Sequence, residues 1–224
     1  MKAMILAAGR GKRMRPLTDN APKPLLVVGG KPLIVWHIEH LARTGFREIV
    51  INHAHLGDQI EAALGNGERF GVSIQYSREG EALETAGGIA HALPLLGEAP
   101  FLAVNGDIFT DYDFSGIESK LGTGMLAHLV MVDNPPQHPL GDFAYDSGVL
   151  AGDGQRKLTF AGIGVYRHNL FSSIAPGSKA RLAPLLQAAI AQHRVSAEHF
   201  CGHWTDVGTP QRLHELNTLL KTES

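Results

Sequence analysis

The sequence contains a single cysteine, Cys201, among 224 residues. One cysteine excludes an intramolecular disulfide and is typical of a protein that folds in a reducing compartment. An excess of charge is also absent, because 20 Lys and Arg stand against 22 Asp and Glu. Non-specific nucleic-acid binding needs a concentrated basic face, so this balance argues against a nucleic-acid partner.

Long apolar runs are missing as well. No run approaches the roughly 18 apolar residues that a membrane-spanning helix needs. The apolar start at residues 1–8 is too short for a signal peptide, and a charged glycine-rich stretch follows it at once. We therefore expect a cytoplasmic protein without a membrane partner. Hydrophobic residues make up 44% of the chain, which is ordinary for a globular protein with its own core.

Short apolar runs and helical periodicity alternate along the chain. The runs predict strands at residues 4–8, 48–52, 73–77, 101–105, 125–132 and 158–166. The periodicity predicts helices at residues 31–45, 58–64, 88–96, 183–193 and 211–220, the third of which stops near Pro94. This alternation is typical of an α/β fold with a doubly wound, mostly parallel, Rossmann-like sheet flanked by helices. Ligands bind at the carboxyl ends of such strands.

A glycine-rich loop follows the first predicted strand. It contains Gly9 and Gly11 and then the cationic residues Lys12 and Arg13. Glycines let backbone N–H groups approach phosphate oxygens, and a guanidinium matches phosphate geometry. The Gly-Lys-Ser/Thr ending of a P-loop is missing, and Met14 stands where a dinucleotide fingerprint needs a small residue. A polyphosphate cradle and a solvated basic turn both remain open.

A lysine between two prolines lies a few residues further on. Pro22 and Pro24 restrict the backbone and are expected to hold Lys23 in an extended segment. A lysine fixed in this way can lie beside the same phosphates.

Three separated motifs resemble the signature of the sugar-1-phosphate nucleotidyltransferases. They are the glycine loop at residues 6–18 with Pro-Lys-Pro at 22–24, Gly-Asp at 106–107, and Trp-Thr-Asp-Val-Gly-Thr-Pro at 204–210. They occur in the family's order, and the resemblance extends from residue 1 to about residue 220. Three motifs in the right order are far more specific than one glycine loop.

The resemblance implies a nucleotidyltransferase type of fold, with a single domain over residues 1–224 and a small sugar-binding subdomain. The turn-rich stretches 133–142 and 151–155 are candidates for that subdomain. It also implies an enzyme that transfers a uridylyl group from UTP to a sugar 1-phosphate and releases pyrophosphate. Among compact members, the similarity favours N-acetylmuramate 1-phosphate of cell-wall recycling as the acceptor.

Such a reaction brings two polyanions together, so we expect positioning and charge stabilisation to dominate catalysis. Asp107 and Asp206 are the expected metal ligands, because Mg²⁺ usually takes one or two carboxylates plus phosphates and water. A turn or a helix cap is the alternative for each aspartate. Arg13 is assigned to the β- and γ-phosphates, and Lys23 to the α-phosphate or the sugar phosphate. The expected catalytic residues are Arg13, Lys23, Asp107 and Asp206.

Residues 79–88 resemble the family's base-binding loop, which often reads Leu-Gly-Thr-Ala-Gly. Glu84 stands here in place of the usual first glycine. The backbone of such a loop can read a pyrimidine edge, although Thr85 could equally be the N-cap of the next helix. Uracil is favoured by resemblance only, and thymine stays open. The residues expected to contact UTP are Gly11, Lys12, Arg13, Lys23, Gly80 and Gly87.

The expected contacts to the sugar phosphate are Asn105, Gly141, Asp142 and Phe160. Phe160 replaces an asparagine that is common in relatives, and a phenyl ring suits a lactyl or acetamido methyl group. Many relatives also have a Glu-Lys-Pro stretch that binds the sugar phosphate. This chain lacks it, and Arg156 or Lys157 are the candidates to substitute.

Other readings stay open from the sequence alone. Guanylyl or thymidylyl transfer is the nearest alternative, and a non-catalytic nucleotide-sugar sensor on the same fold is a second. A nicotinamide oxidoreductase is a third, although Met14 argues against it. The histidines do not offer a better metal site, because His53, His55 and His128 lack the spacing of a His-Glu-x-x-His run or a Cys-His set.

Overall fold

The computed structural model describes residues 1–151, 154 and 156–222. The strands are β1 (Lys2–Leu6), β2 (Val27–Val28), β3 (Lys31–Pro32), β4 (Glu48–His53), β5 (Ser73–Arg78), β6 (Phe101–Asn105), β7 (Ile108–Thr110), β8 (Ala127–Val132), β9 (Phe143–Asp146), β10 (Val149–Ala151), β11 (Lys157–Tyr166), β12 (Val195–His199) and β13 (Trp204–Asp206). The α-helices are α1 (Leu33–Arg43), α2 (Gly57–Leu64), α3 (Glu84–Leu96), α4 (Leu182–Ala191) and α5 (Pro210–Thr222).

Within the described part of the chain, nine strands form one sheet in the order β5-β4-β1-β6-β11-β8-β12-β10-β9. β1 pairs in parallel with both β4 and β6, and the chain therefore winds outward in two directions from β1. β11 runs antiparallel to β6 and β8. The strands β5, β4, β1, β6, β8 and β12 consequently all end at the same edge of the sheet. The predicted doubly wound α/β fold is confirmed.

Both faces of the sheet are covered, which explains the continuous apolar runs in its central strands, at residues 3–6, 49–51 and 101–104. Ala3 and Ile5 of β1 pack in one buried cluster with residues of α1 and α2. Met4 points to the other face and packs with residues of α3 and α4. β1 and β6 are therefore interior strands of the sheet with both faces packed.

The bounds of most predicted elements differ from the structure, usually by one or two residues, and two of these differences bear on the site. β1 ends at Leu6 rather than at residue 8, so two more residues belong to the loop that follows. α3 begins at Glu84, four residues before its predicted start, and continues through Pro94 to Leu96. Thr85 and Gly87 in the first turn of α3 have weak helix propensity, which obscures this turn in the sequence. Because Leu83 precedes the helix, Thr85 lies in its first turn and is not its N-cap.

Several short strands were not predicted. β12 completes the sheet between β8 and β10, and its sequence Val-Ser-Ala-Glu-His alternates without an apolar run. β9 and β10 form an antiparallel pair, and β9 also pairs with the start of β11 through Ala144 and Lys157. β9 and β10 follow the first turn-rich stretch and reach the second at Ala151; residues 152, 153 and 155 of the second stretch lie outside the described residues.

No helix among the described residues combines the length and the apolar character needed to cross a bilayer.

An ion-pair network joins α2 to the ends of β4 and β5. The Nε2 atom of buried His53 lies 2.6 Å from Oε1 of Glu61, and Arg78 donates from Nε to the same oxygen at 2.7 Å. The hydrogen bonds from Arg78, together with the one from His53, lower the pKa of Glu61 to about 2, against the desolvating effect of burial. Glu61 therefore stabilises the fold in its ionised form.

Replacing Glu61 with Gln is expected to lower the free energy of unfolding by about 1 kcal/mol at neutral pH. Because the folded pKa lies below that of the unfolded chain, this stabilisation is present above the usual carboxyl pKa and is lost as the pH falls toward about 2. Urea unfolding of the wild type and the variant at pH 7 and in acid measures the difference. An equal difference at both pH values would contradict the assignment, and the exposed Glu98→Gln variant is the control.

Candidate active site

Two clefts open at the edge where β1 and β6 end. The first has a volume of about 350 Å³ and is lined by the residues after β1, the residues after β6 and the start of α3. The second has a volume of about 270 Å³ and is lined by the residues after β6, by β11 and by β13. Asn105 and Asp107 line both clefts and form their shared wall. The switch between the two winding directions of a doubly wound sheet is the place where such proteins bind ligands.

The glycine-rich loop folds back on itself beside the first cleft. Gly11 has a φ of 64°, and a Cβ atom there would lie 3.2 Å from Cβ of Lys23. The hydroxyl of Thr18 donates to the carbonyl oxygen of Gly11 at 2.8 Å and closes the loop. Gly9 lines the first cleft, whereas Gly11, Lys12 and Arg13 line neither; the side chains of Lys12 and Arg13 are exposed.

Lys23 is the buried cation of the site. Its side chain is 9% exposed, and its Nζ atom donates to Oδ2 of Asp107 at 2.7 Å. The prediction of an extended backbone at Lys23 is wrong, because Pro22 is extended and Lys23 begins a single 3₁₀ turn. The turn places the ammonium group against the wall of the first cleft.

Asp107 and Asp206 are brought together by the pairing of β7 with β13. Asp206 stands opposite Ile108 in this antiparallel pair, and the N–H of Val207 donates to the carbonyl oxygen of Asp107 at 2.8 Å. Both aspartates line the second cleft. Residues from two distant motifs therefore lie side by side.

A side chain of α1 also hydrogen-bonds to the backbone next to Asp107. Nε2 of His37, on α1, lies 2.8 Å from the carbonyl oxygen of Ile108. Burial lowers the pKa of His37 to about 4, so its ring is neutral at pH 7 and donates an N–H to this carbonyl. No sequence motif marked His37, because its role depends on which strand α1 covers.

Two polar residues that the sequence did not single out contact Asp206. Gln137 donates from Nε2 to Oδ1 of Asp206 at 2.7 Å. Arg212, on α5, donates from Nη1 to the same oxygen, and its side chain is 14% exposed. Arg212 follows the third motif by only two residues, and this proximity was the available signal.

The two aspartates suit a hard divalent cation. Lys23 occupies Oδ2 of Asp107, while Gln137 and Arg212 occupy Oδ1 of Asp206, so each carboxylate retains a second oxygen. Among the residues that the structure describes, no group of three or more His, Cys, Asp or Glu side chains is placed to hold a metal ion. A pair of carboxylates is the donor set of a Mg²⁺ ion that takes its other ligands from phosphates and water.

A buried asparagine connects the glycine-rich loop to the predicted base loop. Asn52 ends a predicted strand and is 2% exposed. Its Oδ1 accepts the N–H of Ala7 at 2.9 Å, and its Nδ2 donates to Oε1 of Glu79 at 2.6 Å. The other oxygen of Glu79 accepts the N–H of Leu83 at 2.9 Å. Both loops are thus fixed to the end of β4.

Glu84 has an unusual backbone conformation. Its φ is 63°, in the left-handed region that favours glycine. Glu84 also lines the first cleft. This is the position at which the family's loop usually has glycine. A non-glycine residue in this region costs about 1–2 kcal/mol, so the substitution carries a backbone cost at the mouth of the cleft.

The two glycines expected to contact the base lie outside the lining of the first cleft. Gly80 is exposed in the turn before α3. A Cβ atom on Gly87 would lie 2.3 Å from the carbonyl oxygen of Ser178, so packing of residues 178–180 against α3 requires glycine there. Contacts of Gly80 and Gly87 with UTP stay a prediction.

The remaining predicted sugar contacts gather at the second cleft. Asn105, Asp142 and Phe160 line it. Oδ2 of Asp142 accepts the N–H of Phe160 at 2.8 Å, and its Oδ1 lies 3.1 Å from Nε2 of His138. Gly141 lies beside the cleft in the loop that carries Asp142, with a φ of 63°.

The candidates for the missing lysine lie elsewhere. Arg156 is paired with Asp133, with Nη2 and Oδ1 at 3.5 Å. Neither Arg156 nor Lys157 lines either cleft. Lys23 is the lysine that lines the first cleft, next to the wall that the two clefts share.

The family model described as Nucleotidyl transferase matches residues 2–138. The chain belongs to this family. The resemblance to sugar-1-phosphate nucleotidyltransferases is thereby confirmed, and the oxidoreductase reading is set aside.

Relatives of this nucleotidyl transferase include close and distant proteins. It is 57% identical to the N-acetylmuramate alpha-1-phosphate uridylyltransferase of Neisseria meningitidis serogroup B, over 98% of each chain. It is 35% identical to the UTP–glucose-1-phosphate uridylyltransferase of Synechocystis, over 71% of this chain and 43% of that one. A crystal structure of a putative glucose-1-phosphate thymidylyltransferase from Bacillus anthracis, in complex with sucrose, superposes with a TM-score of 0.87. That match covers 99% of this chain and 95% of the other at 23% identity, and it shows the shared fold.

Replacing Asp107 or Asp206 with Asn in this nucleotidyl transferase is expected to reduce turnover by about 10²–10³ while the fold is retained. Each change removes one negative charge from the place where a cation would be bound. Pyrophosphate release measures the rate, and circular dichroism with thermal unfolding checks the fold. The control is Asp58→Asn, an exposed carboxylate at the start of α2. Near-normal turnover of the Asp206→Asn variant would contradict the assignment.

Replacing Glu84 with Gly is expected to raise the free energy of unfolding by about 0.5 kcal/mol. Release of the left-handed strain gains about 1–2 kcal/mol, and the greater freedom of glycine in the unfolded chain offsets about 1 kcal/mol of it. Urea unfolding measures the change, with Glu81→Gly as a control in the same loop. A clear loss of stability in Glu84→Gly would show that the Glu84 side chain makes a stabilising contact that outweighs its backbone cost.

Proposed function

We propose that this nucleotidyl transferase transfers a uridylyl group from UTP to N-acetylmuramate 1-phosphate, with UDP-N-acetylmuramate and pyrophosphate as products. The observation that carries the proposal is the meeting of two clefts at Asp107, where Asp206 and the buried ammonium of Lys23 also converge. Two anionic substrates can approach each other only where cations are fixed between them. The name of the Neisseria relative, 57% identical over nearly the whole chain, supports the choice of base and sugar.

UTP is proposed to occupy the first cleft. The backbone after β1 and the start of α3 line this cleft, and the positive end of a helix dipole favours phosphate. Arg13, Lys12 and Gly11 would contact the triphosphate from the rim, and Gly80 and Gly87 would contact the base. Thr85, in the first turn of α3 and in the lining of the cleft, is a further candidate.

In the proposed reaction, an oxygen of the sugar phosphate attacks the α-phosphorus of UTP. The bond between that phosphorus and the oxygen that bridges to the β-phosphate breaks, and pyrophosphate leaves with the electron pair. The nucleophile is already anionic, so no side chain has to remove a proton. Lys23 would lower the repulsion between the two phosphate groups, and Arg13 would stabilise the charge that develops on pyrophosphate.

Asp107 and Asp206 would hold a divalent cation, and we propose Mg²⁺. When bound, such an ion neutralises phosphate charge and aligns the two reacting groups. Arg212 and Gln137 would keep the Asp206 carboxylate oriented through Oδ1, and His37 would keep the backbone at Asp107 in place.

The sugar is proposed to occupy the second cleft. Asn105 would donate or accept a hydrogen bond at a hydroxyl, and Phe160 would pack against an apolar methyl group of the substituents. Asp142 and the backbone of Gly141 would complete the contacts to the ring. We further propose that residues 1–224 form a single domain that acts in a reducing, cytoplasmic compartment, for which the one cysteine is the support.

The decisive experiment measures pyrophosphate release over a matrix of substrates. UTP, dTTP and GTP are each combined with the 1-phosphates of N-acetylmuramate, N-acetylglucosamine, glucose and mannose, with Mg²⁺ present. We expect UTP with N-acetylmuramate 1-phosphate to have the highest kcat/KM, and we expect EDTA to abolish the reaction until Mg²⁺ is restored. A higher kcat/KM for another pair would replace the proposed substrates, and activity in EDTA would contradict the role of the metal.

A further inference from the structure

The second cleft is lined by acidic side chains. Asp107, Asp142 and Asp206 all face it, and no lysine or arginine does so among the described residues. His138 is the single lining side chain in that region that can carry a positive charge. For a second anionic group on the acceptor, apart from its phosphate, His138 is therefore the candidate counter-charge among the lining side chains.

Most other donors along this cleft already have acceptors. The indole N–H of Trp204 donates to the carbonyl oxygen of Ala161 at 2.9 Å. The hydroxyl of Thr159 donates to Oδ1 of Asn134 at 2.9 Å. The backbone N–H of Phe160 donates to Asp142. The hydrogen-bond donors that remain for a substituent of the sugar are the imidazole of His138 and the side-chain amides of Asn105 and Gln137. The amide of Gln137 already donates to Asp206.

The loop that carries His138 is held by its own turns. The N–H of His138 donates to the carbonyl oxygen of Pro135 at 2.8 Å, and the N–H of Gly141 donates to the carbonyl oxygen of His138 at 3.2 Å. The imidazole is 43% exposed. Its Nε2 atom lies 3.1 Å from Asp142 Oδ1, and Asp142 is itself anchored to β11 through Phe160. The ring is therefore positioned with Nε2 occupied, while Nδ1 has no hydrogen-bond partner among the described residues and is available to a ligand.

An imidazole that gives one N–H to Asp142 can give the other only in its cationic form. A carboxylate is the ligand that completes this arrangement, since it accepts the Nδ1 proton and supplies the opposite charge. We propose that His138 recognises a carboxylate on the sugar acceptor, which in N-acetylmuramate 1-phosphate is the carboxylate of the lactyl group. Asp142 is the positioning residue that holds the ring for this contact. The inference rests on the proposed function and names the residue that selects an acidic sugar.

The test compares N-acetylmuramate 1-phosphate with its lactyl carboxamide, which has the same shape and lacks the charge. KM and kcat are measured for both acceptors with UTP and Mg²⁺ in the wild type, His138→Gln and His138→Lys. His214→Gln, an exposed histidine on α5, is the matched control. A hydrogen bond to a charged group in a half-exposed site is expected to give the wild type and the control about a tenfold lower KM for the acid than for the amide.

We expect His138→Gln to bring the two KM values together, with kcat for the amide little changed, and His138→Lys to retain the preference for the acid. An unchanged acid-to-amide ratio in His138→Gln would overturn the inference, as would a wild type that does not discriminate between the two acceptors. Failure of the proposed function has a different signature, because the wild type would then use another sugar 1-phosphate and give no product with N-acetylmuramate 1-phosphate.

Discussion

The hydrogen bond between the N–H of Val207 and the carbonyl oxygen of Asp107 is the contact on which the candidate site depends. It closes the short pairing of β7 with β13 and places two carboxylates from distant parts of the chain along one cleft. Without that pairing, each aspartate would be an ordinary loop residue. The buried imidazole of His37 supports the same backbone from the opposite side, so the position of Asp107 is fixed by two independent elements.

Much of this arrangement follows from local sequence. The strands β1, β4 and β6 each contain a continuous apolar run, at residues 3–6, 49–51 and 101–104, because both faces of the sheet are covered, and these runs identified the strands in the sequence. Asp107 lies two residues after β6, in a Gly-Asp pair, and Asp206 lies within a distinctive motif, so both could be predicted. Their meeting was implied by the family resemblance and by the reaction, not by any feature of either segment alone.

The partners of the two aspartates could not be predicted. Gln137 and Arg212 bind Asp206 through tertiary contacts. Neither residue lies in a sequence pattern that indicates such a contact. Asn52 and Glu79 are similar, because their hydrogen bond forms only where the end of β4 lies beside the segment that follows β5. Glu84 is an intermediate case. Its departure from the family's glycine was visible in the sequence, but only the backbone dihedral shows what that departure costs.

The ammonium group of Lys23 has a consequence for how a substrate would be received. It is already removed from bulk water, and its partner is the half-exposed carboxylate of Asp107. The unfavourable dehydration of a lysine has therefore taken place during folding, before any nucleotide arrives. A phosphate that enters the cleft meets a cation that needs only to exchange one anionic neighbour for another, and little of the binding energy is consumed in stripping away its hydration shell.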